Sequence, residues 1–138
     1  MPWSPFAGRP PRSLGLHDGG LGACPNSPNC VSSEADDSAH HVESLRLRGE
    51  SAAAWQKLVQ DVGEQPRTRI VTRRDDYLHA ECSSALLGFV DDLELQLVPS
   101  TGSVAVRSAS RLGYSDLGVN RKRVDDLRSR LRAAGVVE

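Results

Sequence analysis

From His41 to the C-terminus, apolar positions recur with two different periods, and those periods set the expected elements. Val42 to Arg48 reads as a strand with Glu43, Leu45 and Leu47 on one face. Ser51 is placed as an N-cap. Ala52, Trp55, Leu58, Val59 and Val62 follow it at helical spacing, and Gly63 ends the run. Arg69 to Arg73 is a short strand around Ile70 and Val71. Tyr77 to Ser83 alternates, setting Leu78, Ala80 and Cys82 against Tyr77, His79, Glu81 and Ser83. In Phe89 to Leu97 the core side takes Phe89, Leu93, Leu95 and Leu97. Pro99 to Gly102 is a turn, and Ser103 to Ser110 returns as a strand. Asn120 is the expected N-cap of a last helix whose apolar face carries Val124, Leu127, Leu131 and Ala134.

The order β-α-β-β-β-β-α predicts an α+β fold, with an antiparallel sheet of about five strands and two helices on one face. A helix-grip-like arrangement is the nearest analogy. Residues 1–23 hold four of the eight prolines and many glycines. They read as an extended or mobile lead-in, and residues 24–138 as a single α+β domain.

Register sharpens this picture. A tight loop at Ser100 and Thr101 sets Leu97 opposite Val104, Leu95 opposite Val106, Glu94 opposite Arg107 and Asp92 opposite Ala109. Matching the apolar faces of the two preceding strands pairs Leu78 with Leu93 and Cys82 with Phe89, so that His79 faces Asp92 and Tyr77 faces Glu94. One sheet face then collects Tyr77, His79, Glu81, Asp92, Glu94, Arg107 and Arg111. The other is apolar except for Asp91, roughly opposite Ser110. A carboxylate there needs partners. Ser110 and backbone amides or an arginine of the 111–121 turn are the expected ones, which makes Asp91, like Glu94, a structural carboxylate.

Composition narrows the class without naming a function. Hydrophobic content of 38% with 25% charged residues is that of a globular chain. No run approaches the roughly 18–20 apolar residues that span a bilayer. A net charge of -1 argues against broad nucleic-acid binding. Met1 to Phe6 lacks the basic and apolar regions of a secretory signal, which points to the cytoplasm.

Four stretches in order, Cys24 to Ser33, Tyr77 to Glu81, Gly88 to Glu94 and Val106 to Arg123, resemble the family called domain of unknown function 1499, found in bacteria and plants. The resemblance spans residues 21 to 135. It implies no activity and carries over no catalytic residue or cofactor.

Candidate chemistry concentrates in the longest of these stretches. Arg111 lies just past a strand, while Arg121, Lys122 and Arg123 open a helix whose N-terminal dipole favours anions. The expected function is non-enzymatic binding of an anionic small molecule or lipid through Arg107, Arg111, Ser115, Asn120, Arg121 and Arg123. The competing reading consumes these cations internally: Arg107 with Glu94, and Arg111 and Arg121 with Asp91, Asp92 or Asp116.

Two further readings stand beside it. His79, Asp92 and Glu94 are general acid–base types suited to a hydrolase or isomerase, although a sheet with one covered face ordinarily shows water such residues on the other. The Cys24 to Cys30 loop offers a protein-interaction edge. Its thiols are open to three uses: a Cys2His2 metal set with His40 or His41, a disulfide in an oxidising compartment, or plain packing. No metal site is assigned. Cys82 sits on the core side and is expected to pack.

Overall fold

The computed structural model describes residues 5–138, and the first four residues of the lead-in lie outside them. Ten elements follow in order: β1 (Leu16–His17), β2 (Gly20–Leu21), β3 (Cys30–Ser32), β4 (Leu45–Arg46), α1 (Ser51–Gly63), β5 (Thr68–Arg73), β6 (Tyr77–Ser83), β7 (Val90–Val98), β8 (Ser103–Ser110) and α2 (Val119–Ala133). The fold is α+β, as the two hydrophobic periods predict. Its six-stranded sheet has the order β3-β8-β7-β6-β5, and β3 and β4 occupy successive halves of the same edge of β8. All pairings between strands are antiparallel.

Both helices lie on the apolar face. Trp55, Leu58, Leu78, Leu95, Val104, Val106, Leu127 and Leu131 form one cluster with their side chains essentially closed to water. Burying each large apolar side chain of this kind contributes about 1.5–3 kcal/mol. The Trp55 indole satisfies its one donor on the Arg74 carbonyl at 3.1 Å.

Several local expectations are corrected. The cap of α1 is Glu50, whose carboxylate accepts from the Ala53 amide, and Ser51 is already helical. Asn120 is no N-cap: Gly118 holds that position in a left-handed conformation, and Asn120 is buried inside α2. Ala134 is exposed because the chain turns at Gly135 and fills the core with Val136 and Val137 instead. Of the expected Val42–Arg48 strand only Leu45–Arg46 forms a ladder, with a single bridge from Leu47 to Val137. Phe89 falls outside β7, 38% exposed.

The β7–β8 register is the expected one, including Glu94 opposite Arg107 and Asp91 opposite Ser110. The β6–β7 register is shifted by two residues: Leu78 pairs with Leu95, His79 with Glu94, and Cys82 with Asp91. A shift of two keeps every side chain on its own face, so matching the faces cannot detect it. What sets it is the length of the 84–89 loop, which no periodicity reports.

The second sheet face is not solvated. Residues 13–23, including the β1–β2 hairpin, run across it as a strap. Leu21 packs with Tyr77 and Ala105, and the Gln96 amide donates to the Gly19 carbonyl at 2.8 Å. Gly22 is needed for this approach, since a Cβ there would lie 2.5 Å from the Ser13 carbonyl oxygen. Strands of two or three residues show no period, which is why β1, β2 and β3 escape a sequence reading. The strap turns a face of charged side chains into interior.

Candidate functional site

Under the strap, β6, β7 and β8 bring six ionisable groups and a tyrosine into one layer. Arg111 is the hub. Its guanidinium donates to both Asp92 oxygens at 2.8 Å and to Glu81 at 2.6 Å, and its side chain is 1% exposed. Arg69 donates to the other Glu81 oxygen, and His79 bonds Asp92 at 2.7 Å. Burial pushes the Asp92 carboxyl up, but the bonds from Arg111 and His79 outweigh it and hold the group below its ordinary value. Glu81 is likewise held low: burial opposes, and Arg69 and Arg111 prevail. Glu94 accepts from the Tyr77 hydroxyl and from the Gly15 amide of the strap. Burial, then this bond, raises the tyrosine pKa. Arg107 donates to the Ala23 carbonyl at 3.1 Å and lies 3.6 Å from Glu94.

The hydrolase or isomerase set therefore exists as a cluster, with both pairings made diagonally across the shifted register. It is buried, however, and of its three members Asp92 alone reaches the wall of a cavity described below.

A second polar cluster lies on the helix face, around Asn120. Its carboxamide donates to Ser110 at 2.9 Å, Asp116 at 2.7 Å and the Asn29 carbonyl at 3.2 Å, and accepts from Ser108 and Arg123 at 2.7 Å each. Arg123 in turn donates to Asp91 at 2.7 Å. Asp91 is thus paired by α2, and not by Ser110 or the 111–121 turn. The first turn of α2 also has its own anion: Asp116 accepts from the Gly118 and Asn120 amides at 2.8 and 3.0 Å. Burial raises the Asp116 carboxyl, and the Asn120 bonds more than offset it, leaving it low. Of the three cations that open the helix, Arg123 is answered by Asp91 and Lys122 by Asp126 at 2.8 Å.

Replacing Asp91 tests this arrangement. Asp91→Ala strands the Arg123 guanidinium and is expected to cost about 1–3 kcal/mol in urea unfolding, while Asp91→Asn retains an acceptor and loses less. Equal stability of Asp91→Ala and the parent would refute a structural role for the pair.

The other predicted site residues separate. Arg107 and Arg111 belong to the strap-side cluster, and Arg121 holds the His41 and Ala39 carbonyls at 2.9 and 3.1 Å. Ser115 accepts from the Leu117 amide. Ser115, Arg123 and its partner Asp91 reach a cavity of about 550 Å³ between the 84–89 loop and the 111–118 turn, whose wall also carries Asp116.

That cavity has features no expectation named. Arg67 lines it, with no side-chain partner among the described residues, and Phe89, Leu112, Leu117 and Val119 lie on its walls, 38–95% exposed. Among the described residues every large exposed apolar side chain but Val71 lies in these two loops, at the start of α2, or at Phe6, whose ring is 5.1 Å from that of Phe89. Arg67 and Leu117 both have positive φ, 53° and 56°, rarely adopted by bulky residues. A second cavity of about 330 Å³, between α1, β5–β6 and α2, shares Arg67, Ser83, Val119 and Arg123 with the first. The sequence did carry a signal: Leu86, Leu87, Leu112, Tyr114 and Leu117 are apolar residues in turn segments with no core face to join.

The Cys24 and Cys30 sulfurs form a disulfide, with the Cα atoms 5.7 Å apart. This removes the packed-thiol reading and leaves a Cys2His2 set without sulfur ligands. His40 pins the same loop, bonding the Ser27 carbonyl at 2.8 Å and Asp37 at 2.5 Å. Both partners are acceptors, an arrangement that favours a proton on each ring nitrogen. The Ser27 bond, then Asp37, raises its pKa. Cys82 is buried and unpaired with sulfur, and burial pushes its thiol up.

The motif pattern fits one set of known sequences. The family described as protein of unknown function, DUF1499, matches over residues 20–131, most of the chain and nearly all of the sheet and both helices. The chain belongs to the DUF1499 family. No curated protein and no solved structure matches it. Membership thus fixes kinship and leaves activity to the geometry. Among the described residues no helix is long and apolar enough to cross a membrane.

Proposed function

We propose that the protein is a binding domain for an anionic amphiphile, held between the 84–89 loop and the 111–118 turn. One observation carries this reading: the unpaired Arg67 lies in the wall of the cavity around which the exposed apolar side chains gather. Arg67 and the Ser83, Ser84 and Ser115 hydroxyls suit an oxyanion headgroup, with Arg123 behind them. Phe89, Leu112, Leu117 and Val119 suit an apolar tail. Left-handed backbone at Arg67 and Leu117 supports it, because such strain concentrates at ligand clamps. Of the residues expected from sequence, Ser115 and Arg123 serve this site, with Asn120 fixing Arg123 from below.

The disulfide supports an oxidising compartment, where the N-terminal sequence pointed to the cytoplasm.

Titration calorimetry with dihexanoyl phosphatidic acid, kept below its micelle concentration, tests the reading. The parent is expected to bind it and to ignore dihexanoyl phosphatidylcholine. Arg67→Ala is expected to weaken binding about tenfold, the loss of one charge-assisted bond. Leu117→Asp, at a side chain 95% exposed, removes apolar contact without disturbing the core. Equal affinity for both lipids, or unchanged binding in both variants, would refute the proposal.

A further inference from the structure

A third cavity, of about 400 Å³, opens on the opposite side of the sheet, between the strap and the outer face of β8. Its wall includes Ser13 and Ala23 from the strap, the Cys24 end of the disulfide loop, and Asp92, Arg107 and Arg111 from the sheet. The two arginines differ in how far their donors are used. Arg111 is committed to Asp92 and Glu81. Arg107 spends only one nitrogen, Nη2, on Ser13 and the Ala23 carbonyl, at 3.4 and 3.1 Å. Its Nε and Nη1 have no hydrogen-bond partner, although the residue is 2% exposed. The nearest carboxylate oxygen, Glu94 Oε1, stands 3.6 Å from Nη1, beyond hydrogen-bond reach, and is itself unpartnered.

A guanidinium presents five N–H donors, and leaving such donors buried and unused costs about 1–3 kcal/mol per group. Evolution of a packed sheet would ordinarily close Arg107 onto Glu94 or replace both by apolar residues. Here the charge is kept beside a cavity large enough for a small molecule, with two unused donors buried behind the wall that Arg107 helps to form, within reach of an anion if the guanidinium turns. We infer that this cavity is a binding site for a small oxyanion, a phosphate or a short carboxylic acid, whose oxygens accept from Arg107. Asp92, on the same wall, opposes an anion, but its charge is answered by Arg111 and His79. The Ser13 hydroxyl supplies a further polar contact. This site shares only Ser110 and Gly113 with the amphiphile cavity, and the inference does not depend on that cavity.

The test is thermal unfolding in inorganic phosphate, and separately in lactate, against chloride at equal ionic strength. Three chains are compared: the parent, Ala109→Leu, and Arg67→Ala. Ala109 lines the cavity and makes none of the ionic contacts, so leucine fills the space while leaving the network whole. Phosphate or lactate at about a hundred times its dissociation constant is expected to stabilise the parent, a linkage effect of about 2.7 kcal/mol. Ala109→Leu should lose that response and Arg67→Ala should keep it. Arg107→Gln, if it folds, should lose it too. A parent that responds to neither anion beyond chloride overturns the inference. So does a response that survives in Ala109→Leu, or one that disappears in Arg67→Ala, which would place the anion in the amphiphile cavity.

Discussion

Arg111→Ala is expected to destabilise the protein by about 3–5 kcal/mol, because it leaves the buried Asp92 carboxylate and its neighbour Glu81 without their shared cation. That is a large part of the 5–15 kcal/mol that holds a typical domain together. Urea unfolding at neutral pH measures it. Arg111→Lys should recover part of the loss, since one ammonium cannot reproduce the paired bonds to Asp92. The same network fixes an acid response. Asp92 and Glu81 have folded pKa values held below their ordinary ones, so in acid the unfolded chain binds more protons than the folded one. Stability is then in place at neutral pH and falls as pH drops through about 4 and below. In Arg111→Ala this acid slope should flatten. A loss under about 1 kcal/mol would show the cluster to be solvated in practice.

Reduction of the Cys24–Cys30 disulfide is expected to lower stability by about 2 kcal/mol, the loop-closure contribution of so short a ring. The loop is also held by His40 and, through Asn29, by the Ser110 and Asn120 contacts, so it should loosen without unfolding the core. Amide exchange with and without reductant distinguishes the two levels: faster exchange confined to residues near the loop and strap is the expected outcome. Global unfolding on reduction would mean that the loop carries far more than its closure entropy.

How far the sequence could be read follows from what each signal reports. Alternation in Tyr77 to Ser83 and Ser103 to Ser110 marks β6 and β8 to the residue, because each strand buries one face against helices. Parity placed Tyr77, His79, Glu81, Asp92, Glu94, Arg107 and Arg111 on a common face. It could not show that the face is covered, since the cover is a strap of glycines, prolines and two-residue strands with no period of its own. Arg111 pairs internally with Asp92, Arg107 only approaches Glu94 to 3.6 Å, and Arg121 takes carbonyls in place of a carboxylate. Arg67 is not distinguished in the sequence, because neither its left-handed backbone nor its place in a cavity wall leaves a pattern in an arginine-rich segment.

The strap also orders events during folding. Its anchors close very long loops, from Gly15 to Glu94 and from Ser13 and Ala23 to Arg107, separations of 79, 94 and 84 residues. Contacts that distant form slowly, since chain entropy is lost before they are gained. In a chain made from its N-terminus the strap emerges before β7 and β8 and has nothing to hold until they exist. The disulfide, spanning only 6 positions, needs no such wait. Its ring can close early and shape the loop, leaving the strap to dock last over a sheet already paired.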